Sequence, residues 1–508
     1  MVDPAANGPL ISHGELQKHA TPEDCWIVVH SRIYDVTAFL DEHPGGSAII
    51  LKYAGNDASK AYDDVHAPSM IHKTLGNDQF KGVIDPTAEL SSVDNLSEAS
   101  TLADPDEIPP LEQLIAVHDF EEVARKKYTE KTFAFYSSAA TDLVSHHANL
   151  ESYKQIMLRP RVLRNVKEVE ISRKILGYSS SAPFFVSPTA MMKLAHADGE
   201  LAVARGCAEE DIIHIISNNA SYPLAEIVAE GKPGQTFFLQ LYVNSERWKT
   251  QELLQEAARL GVRAIFVTVD APIPGKREAD ERIAAGNLVS GMSGAVAKND
   301  KKGGGLGRVM AKYIDSTLDW NDLAWIKQVS GLPVILKGVQ TGADARLAIE
   351  YGADAIMLSN HGGRSLDTVQ PAIITLLELH KTCPEIFGRM EIFIDGGIRR
   401  GTDILKAIAL GATAVGVGRP YLYSLAYGQQ GVEHLTQILK DELVSAMKLA
   451  GITHIDQAHP GMVNTANVDR AWNHSDTVNG TDGHEPKQLV ALMTAVTCLN
   501  FSYTPRFP

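Results

Sequence analysis

The stretch Ala355-Ile356-Met357-Leu358-Ser359-Asn360-His361-Gly362-Gly363-Arg364-Ser365-Leu366-Asp367 combines the signals of a strand end and of a reactive site. Its first four residues form an apolar run that predicts a buried strand, and the polar and glycine residues after them predict a turn. His361 and Arg364 therefore stand side by side where the strand opens. A base beside a fixed positive charge suits removal of a proton from a small anionic substrate. A glycine turn capped by His361 explains this stretch equally well.

Seven further strand-like runs occur in the chain, and helical segments separate most of them. The eight runs occupy residues 184–190, 212–218, 236–243, 264–272, 334–339, 355–363, 391–397 and 414–420. Eight β/α units predict an α/β protein with a closed parallel (β/α)8 TIM barrel. A doubly wound open sheet is the alternative, but no GxGxxG fingerprint follows an early strand. Residues 276–307 interrupt the alternation after the fourth run, as either a mobile lid or a disordered insertion would.

Size and composition narrow the classes of function. A chain of 508 residues with 44% hydrophobic and 21% charged residues predicts a soluble globular protein of two or more domains. Its net charge of −15 argues against a nucleic-acid partner. Four widely spaced cysteines predict free thiols of a reducing compartment rather than disulfides or a zinc site. No targeting segment is visible, and the longest late apolar run, 488–501, is too short to span a bilayer, so no membrane is expected.

The first part of the chain, residues 8–85, predicts a small α+β domain with its own signals. Two strand-like runs, 26–29 and 32–36, precede the turn His43-Pro44-Gly45-Gly46, and His66 follows a helical segment. Two neutral imidazoles presented from opposite sides suit a six-coordinate haem iron, although a pair of surface histidines fits the same spacing. Residues 86–110 are rich in Ser, Asp, Glu and Pro and predict a flexible acidic linker. The barrel domain is then expected over 111–470, followed by a tail over 471–508.

Catalytic groups of a β/α barrel gather at the carboxyl ends of its strands. In chain order these ends carry Pro188, Thr189, Ala190, Ser217, Gln240, Tyr242, Thr268, Asp270, Arg277, Lys337, Ser359, His361, Arg364, Asp395, Gly397, Arg399, Gly418 and Arg419. The last two ends combine glycines with arginines where such barrels bind phosphate, although tight βα turns alone also need glycines. We expect a phosphate-bearing cofactor in the barrel mouth. Lys337 would place a positive charge near its ring system, as a flavin stabilised as an anion requires.

The chain resembles two known families. Trp26, the run from Tyr34 to Phe39 and the His43-Pro44-Gly45-Gly46 turn look like a cytochrome b5 domain, in which the residues matching His43 and His66 ligate haem b. From about residue 120 to 451 the chain resembles the FMN-dependent α-hydroxy-acid oxidases and dehydrogenases. The matching motifs are Ser359-Asn360-His361-Gly362-Gly363-Arg364 with Leu366-Asp367, Pro188-Thr189-Ala190, Gln240-Leu241-Tyr242-Val243, Thr268-Val269-Asp270 and Asp395-Gly396-Gly397. Together the two domains resemble the flavocytochrome b2 family of fungal-type L-lactate:cytochrome c dehydrogenases.

The resemblance implies a role for each residue at the strand ends. His361 would take a proton from a hydroxy acid, Asp270 would support the imidazolium, and Tyr242 would bind the substrate hydroxyl. Arg364 would clamp the substrate carboxylate, with Arg277 as a second cation. The implied FMN contacts are Lys337 at the N1/O2 edge, Thr189, Ser217, Gln240 and Thr268 at the ring, Gly397, Arg399, Gly418 and Arg419 at the phosphate, and also Pro188, Ala190, Ser359 and Asp395.

The implied activity is oxidation of a small, lactate-like L-2-hydroxy acid to the 2-oxo acid, with electrons passing from FMN to haem and then to cytochrome c or a similar acceptor. The resemblance also implies a homo-oligomer, a tetramer, in the cytoplasm or the mitochondrial intermembrane space. Two positions depart from the family: Phe135 replaces a tyrosine that helps bind the substrate carboxylate, and Asn219 stands where the family faces the substrate side chain. The acid therefore stays open. The alternatives are an oxidase that reduces oxygen and a redox-inert barrel with a haem electron-carrier module.

Overall fold

The computed structural model describes residues 8–40, 42–43, 46–63, 71, 74–85, 108–284, 288–297 and 305–469. The chain divides into two compact units, residues 1–107 and 108–508. The predicted linker lies outside the described residues except for 108–110, and the predicted tail lies wholly outside them. Within the described ranges, no helix combines the length and the apolar character needed to cross a membrane.

The first unit is built on a five-stranded sheet. In spatial order its strands are Leu10–Ile11, Phe80–Ile84, Arg32–Asp35, Asp24–Val29 and Ala20–Thr21. Its described helices are His13–Leu16, Ser47–Leu51 and Ser59–Asp63. The two predicted strands are confirmed, and they pair antiparallel through a turn at His30 and Ser31, whose φ angles are 51° and 65°. Two residues with positive φ give the hairpin turn that matches the twist of paired strands.

Both faces of this sheet are covered, because successive side chains of a strand point to opposite sides. Val28 and Ile33 belong to one apolar cluster, whereas Ile27, Val29 and Tyr34 belong to the other. All five are buried.

The second unit contains a closed barrel of eight parallel strands, which confirms the predicted fold. In chain order the strands are Phe184–Val186, Ile213–Ser217, Phe237–Leu241, Ile265–Thr268, Val334–Val339, Ala355–Leu358, Glu391–Asp395 and Ala414–Val417. The eighth strand pairs with the first, Val417 opposite Val186, and this pairing closes the sheet. Most predicted runs extend past the observed carboxyl ends because they included the first residues of the following turns.

Helices surround the barrel. They are Gly199–Glu209, Leu224–Ala229, Arg247–Arg259, Asp322–Ser330, Gly342–Glu350, Ala372–Thr382, Gly401–Ala409, Arg419–Ser424 and Gly428–Ala450. Val117–Lys127, Glu130–Ser137 and Val144–Gln155 precede the first strand. Two short antiparallel strand pairs complete the unit. They are Arg173–Ile175 with Tyr178–Ser180 and Met157–Leu158 with Val463–Asn464.

The insertion after the fourth strand is partly described. It contains the helix Glu278–Glu281, the antiparallel pair Leu288–Val289 and Val296–Ala297, and the start of the helix Leu306–Met310. Residues 285–287 and 298–304 lie outside the described residues. The choice between a lid and a disordered insertion therefore stays a prediction.

The barrel interior changes from apolar to polar toward the carboxyl ends of the strands. Every second residue points inward, and the lower inward positions include Phe185, Phe238, Phe266 and Phe393, all fully buried. One step further along the same inward series lie Ser187, Ser217, Gln240, Thr268, Lys337, Ser359 and Asp395, all buried. A layer of polar side chains thus caps the apolar core and forms the floor of the barrel mouth.

Candidate active site

His361 and Asp270 form a hydrogen-bonded pair at the barrel mouth. His361 follows the sixth strand, and its Nδ1 lies 2.9 Å from Oδ1 of Asp270, which follows the fourth. Gly338 on the intervening strand makes this approach possible, since a Cβ there would lie 2.6 Å from the Cβ of Asp270. Tyr242 places its hydroxyl 3.3 Å from Nε2 of His361. With Nδ1–H donated to the carboxylate, the lone pair on Nε2 can accept a proton.

Burial and charge act in opposite directions on this pair. Burial lowers the pKa of His361 below its ordinary value, and the Asp270 carboxylate offsets only part of that effect. Burial would raise the pKa of Asp270, but the charges of His361 and Lys337 outweigh it and the pKa is lowered. At neutral pH the imidazole is therefore an unprotonated base beside an ionised carboxylate.

The lowered pKa of His361 predicts a pH profile for catalysis. Because the base works only when neutral, kcat/KM should rise as pH increases through a value below 6.5, the ordinary pKa of histidine, and then stay level around pH 7. Steady-state kinetics between about pH 4.5 and 8 measure this rise in kcat/KM. Enzyme that is first held at each pH and then assayed at pH 7 shows whether it has unfolded irreversibly. A midpoint above 6.5 would contradict the assignment.

Two arginines lie beside the base. Arg364 donates from Nη1 to the carbonyl oxygens of Tyr136 at 3.0 Å and Ser138 at 2.7 Å, and from Nη2 to that of Phe135 at 2.9 Å. Arg277 donates from Nε to the carbonyl of Arg364 at 3.3 Å. Burial lowers the pKa of both guanidinium groups, yet arginine keeps its charge in proteins. Among the described residues, Arg364 has no partner for its Nε–H and one Nη2–H, so these two groups can bind a carboxylate.

Lys337 supplies a buried positive charge in the polar layer. Its Nζ lies 3.0 Å from Oγ of Ser359 and 3.4 Å from Oδ2 of Asp395. Burial alone would lower the pKa of Lys337, but the carboxylates of Asp395 and Asp270 raise it above its ordinary value. The ammonium group therefore stays charged on the floor of the barrel mouth.

Hydrogen bonds connect the other polar residues of this floor. Ser217 donates to Oε1 of Gln240 at 3.2 Å, and Nε2 of Gln240 donates to Oγ1 of Thr268 at 3.0 Å. Asn218, which precedes Asn219, accepts the main-chain N–H of Tyr242 at 3.0 Å. Strands two, three and four are thus tied together at their carboxyl ends.

The predicted phosphate-binding residues also meet, but their arginines hold protein partners. Nη1 of Arg399 lies 2.8 Å from a carboxylate oxygen of Glu121. Arg419 donates to the carbonyls of Tyr136 at 3.1 Å and of Ser138 at 3.0 Å. Its third bond reaches the carbonyl oxygen of Gly362 at 3.1 Å, so within the described ranges both Nη1–H groups remain for a ligand.

Two glycines at this end predict different responses to alanine. Gly397 has a φ of 85°, and a Cβ there would lie 2.2 Å from the carbonyl oxygen of Asn149. Gly418 has a φ of −103°, and its Cβ would meet nothing closer than 3.8 Å. Gly397→Ala should lower the free energy of unfolding by about 2–4 kcal/mol, from strain and a backbone clash. Gly418→Ala should lower it by about 1 kcal/mol or less, because the space for a Cβ is open and only the ψ of −90° is unfavourable for alanine. Urea unfolding of the full chain compares the two, and equal stability would contradict the packing described.

One cavity collects the predicted residues. Its lining includes Pro188, Thr189, Ala190, Ser217, Gln240, Tyr242, Thr268, Arg277, Lys337, His361, Arg364, Asp395, Gly397, Arg399, Gly418 and Arg419. Asp270 is hydrogen-bonded to His361 and Ser359 to Lys337, so both lie directly behind the lining. Phe135 and Asn219 line the same cavity.

The chemistry of this lining fits FMN. Five of the lining side chains are cationic and one, Asp395, is a carboxylate. Ser187 Oγ, Thr189 Oγ1 and Asp395 Oδ1 are buried without a hydrogen-bond partner among the described residues. Buried polar groups need partners, and a flavin phosphate brings both hydrogen-bonding atoms and negative charge.

Some residues of the site gave no signal as functional residues in the sequence. Ser187 belongs to the polar layer, which only the strand register reveals. Asn149 and Asn360 exchange side-chain hydrogen bonds of 2.8 and 2.9 Å although they lie far apart in the chain. Asp367 accepts from Thr141 and from main-chain N–H groups of 142, 144 and 145; despite burial, these bonds lower its pKa to about 2. For Asn360 and Asp367, membership of the predicted signature was the available clue, but it gave them no role.

The predicted haem ligands are described in part. His43 follows the short 3₁₀ helix Thr37–Phe39, and its Nδ1 is 3.2 Å from the carbonyl oxygen of Gly46. Such a bond places the ring proton on Nδ1 and the lone pair on Nε2, the form in which histidine ligates a metal. His66 lies outside the described residues.

Comparison with known proteins identifies the family. The model of the FMN-dependent dehydrogenases matches residues 124–465. The chain belongs to this family. The model of the cytochrome b5-like Heme/Steroid binding domain matches residues 12–85. This FMN-dependent dehydrogenase therefore carries both FMN and haem, and the predictions of the enzyme class and of the two cofactors are confirmed.

Relatives share this two-domain organisation or its barrel alone. L-lactate dehydrogenase (cytochrome) of Wickerhamomyces anomalus is 39% identical over 460 residues, which cover 89% of this chain and 79% of that protein. 2-Hydroxyacid oxidase 1 of Homo sapiens is 38% identical over 355 residues, covering 68% of this chain and 95% of its own. A solved structure of a flavocytochrome b2 mutant matches 82% of this chain and 100% of its own, with a TM-score of 0.65 and 34% identity.

Proposed function

We propose that this FMN-dependent dehydrogenase oxidises a small, lactate-like L-2-hydroxy acid to the corresponding 2-oxo acid. The supporting observation is the His361–Asp270 pair next to Arg277 and Arg364 in a single cavity. The kinship with an L-lactate dehydrogenase (cytochrome) over 89% of the chain supports the same class of substrate. The substrate loses two protons and two electrons: both protons are finally released to solvent, the first by way of His361, and bound FMN would supply the two-electron chemistry, with the electrons leaving one at a time through haem.

The protein's own residues would bind and deprotonate the acid. Arg364 and Arg277 hold the carboxylate through charge-assisted hydrogen bonds, which orients the hydroxyl-bearing carbon. Tyr242 hydrogen-bonds the substrate hydroxyl. His361 accepts a proton at Nε2, and Asp270 stabilises the imidazolium that forms. The 2.9 Å bond between Nδ1 and Oδ1 fixes the ring for this step.

FMN would occupy the mouth above the polar layer. Thr189, Ser217, Gln240 and Thr268 would contact its ring, and Lys337 would place its charge at the N1/O2 edge. The remaining contacts would come from the phosphate-binding residues Gly397, Arg399, Gly418 and Arg419 and from Pro188, Ala190, Ser359 and Asp395. The unpaired Thr189 hydroxyl and the excess of cations support this placement.

Phe135 modifies the carboxylate site. Its ring centre lies 5.6 Å from the guanidinium carbon of Arg364, so the aromatic face supports the cation without a hydroxyl. Loss of one hydrogen bond to a charged acceptor costs about 1.5–3 kcal/mol in binding. Compared with a Phe135→Tyr variant, which restores the tyrosine of the family, the wild type should have a higher KM and a similar kcat.

Electrons would leave through the haem domain, where His43 and His66 would hold the haem, with cytochrome c or a similar carrier as acceptor. A haem held by two imidazoles would supply electron transfer rather than oxygen chemistry. A homo-oligomer, tetrameric as in the resemblance, and a location in the cytoplasm or the mitochondrial intermembrane space complete the proposal. Light scattering of the purified chain tests the oligomer.

Turnover with cytochrome c tests the function. The wild type should convert an L-2-hydroxy acid into the 2-oxo acid while reducing two cytochrome c molecules per product without oxygen. His43→Ala should lose cytochrome c reduction but retain flavin reduction by substrate. Absence of any 2-oxo acid from a panel of short L-2-hydroxy acids would refute the proposal.

An oxidase is the second candidate, since 2-hydroxyacid oxidase 1 matches the barrel region. Hydrogen peroxide formed at the wild-type rate by His43→Ala in air would favour it. Haem absorbance without flavin absorbance in the purified protein would instead support a redox-inert barrel.

A further inference from the structure

A polar cluster stands at the cavity wall close to Tyr242. Asn219 follows the second barrel strand, is 7% exposed and lines the cavity. Its Oδ1 lies 2.6 Å from Oγ of Ser293 and 3.0 Å from the hydroxyl of Tyr313. Asn219 lines the cavity, whereas Ser293 and Tyr313 do not. The two hydroxyl groups therefore contact the Asn219 amide from the side that faces away from the cavity.

Both hydroxyl groups act as donors to Asn219, which sets the orientation of its amide. Ser293 Oγ accepts the N–H of Ala295 at 3.3 Å, so its own hydrogen can go to Oδ1 of Asn219. Burial raises the pKa of Tyr313 and keeps its hydroxyl protonated. With Oδ1 held by two donors, the oxygen faces the protein and the NH₂ group lies on the cavity side.

The NH₂ group of Asn219 lacks a partner. Nδ2 makes no hydrogen bond to any residue in the described part of the chain, and it is the polar atom that the otherwise largely buried Asn219 can offer to the cavity. A donor presented to the cavity without a protein partner can bind an acceptor on a ligand, and a ligand that lacks the acceptor would displace water from it without replacing the hydrogen bond. Ala311 and Ile314 line the same cavity and offer only apolar side chains. The groups that act on the Tyr313 hydroxyl are the neutral side chains of Tyr242, Asn219 and Ser293, so a neutral acceptor fits this cluster better than a second carboxylate.

We propose that Asn219 is a specificity-determining residue and that Ser293 and Tyr313 are positioning residues that fix its amide. The preferred substrates are 2-hydroxy acids whose side chain ends in a neutral hydrogen-bond acceptor such as a hydroxyl group. This inference rests on the proposed oxidation of 2-hydroxy acids and names the substrate class within it.

L-Glycerate and L-2-hydroxybutanoate provide the test, because their side chains have nearly the same size and end in a hydroxyl and a methyl group, respectively. The wild type should show a kcat/KM for glycerate about 10- to 100-fold above that for 2-hydroxybutanoate, since a site with a hydrogen-bond donor rejects the analogue without the acceptor. Asn219→Leu should reverse the ratio. A wild-type ratio of one or below, or an unchanged ratio in Asn219→Leu, would overturn the inference.

The positioning residues need a readout that general damage would not move. Tyr313→Phe and Ser293→Ala should each lower the ratio of glycerate to 2-hydroxybutanoate about 3- to 10-fold, because the amide is then free to rotate. Damage to the fold would lower both rates together and leave the ratio unchanged. Tyr351→Phe, at a tyrosine 44% exposed on the barrel exterior, is the matched control and should leave the ratio as in the wild type. A ratio in Tyr313→Phe equal to that control would refute the role of Tyr313.

Binding offers a second readout that needs no turnover. Changes in flavin absorbance give the dissociation constants of the two products, hydroxypyruvate and 2-oxobutanoate. The wild type should bind hydroxypyruvate more tightly than 2-oxobutanoate, and Asn219→Leu should bind 2-oxobutanoate more tightly. If no 2-hydroxy acid of any kind reduces the flavin, the proposed function fails. If both acids reduce it but the ratio is one or below, only the inference on Asn219 fails.

Discussion

His361→Gln is expected to lower kcat for hydroxy-acid oxidation by roughly 10³- to 10⁴-fold while FMN content stays at the wild-type level. Glutamine fills a similar volume and can still hydrogen-bond Asp270, but its amide cannot accept the proton that Nε2 accepts. The carboxylate contacts of Arg277 and Arg364 remain, so KM should change far less than kcat. Steady-state kinetics and the ratio of flavin to protein measure the two effects separately.

A matched variant controls for the substitution itself. His380 lies on a barrel helix, and its Nε2 is 2.7 Å from the carbonyl oxygen of Leu410, away from the cavity. His380→Gln should leave kcat unchanged. A His361→Gln enzyme that binds flavin fully and keeps more than about one-tenth of wild-type kcat would remove His361 from the role of base.

Asp270→Asn is expected to lower kcat by roughly 10³- to 10⁴-fold, similar to the loss when the aspartate of a Ser-His-Asp triad is replaced by asparagine. The Asp270 side chain is fully buried and contacts Nδ1 of His361 at 2.9 Å, so the isosteric amide should fit without repacking. An amide N–H directed at Nδ1 would favour the tautomer with the proton on Nε2, where the base must be free. The imidazolium formed after proton transfer would also lose its buried counter-ion.

The pH profile separates this loss from simple unfolding. Asp270 raises the pKa of His361 against the effect of burial, so its removal should move the acid limb of kcat/KM to lower pH while the plateau falls. Asp354→Asn, at a half-exposed carboxylate paired with Lys327 at 2.8 Å, is the control and should change neither quantity. An acid limb that moves to higher pH would contradict the pairing of Asp270 with His361.

The barrel was predictable because parallel strands are buried on both faces and appear as continuous apolar runs. Those runs ended at the correct edge of the barrel, so the strand ends brought Lys337, His361 and Asp395 together without any knowledge of distances. The predicted ends overshot at 190 and 363, where turn residues extended the pattern beyond Val186 and Leu358. The inward register, which places Ser187 in the same layer as Lys337, became visible only once the strands were paired.

Partners that come from distant segments could not be predicted. The guanidinium group of Arg399 was expected to be available to a phosphate, yet it also pairs with Glu121, which lies on a helix before the barrel. Asn219 was recognised as a departure from the family, but its contacts with Ser293 and Tyr313 depend on how an insertion without a repeating pattern folds. Side-chain hydrogen bonds over such separations leave no periodic signal in a single sequence.

An anaerobic absorbance titration of the purified protein with short L-2-hydroxy acids tests whether electrons pass from the substrate to FMN and then to haem. If the acid is oxidised in the cavity around His361 and electrons pass from FMN to haem, the absorbance of oxidised flavin should be lost first. Bands of reduced haem should then appear. His361→Gln, with the same cofactors, should show neither change on the same timescale. Oxidised flavin and haem that persist with every acid in the panel would show that this protein does not oxidise short L-2-hydroxy acids.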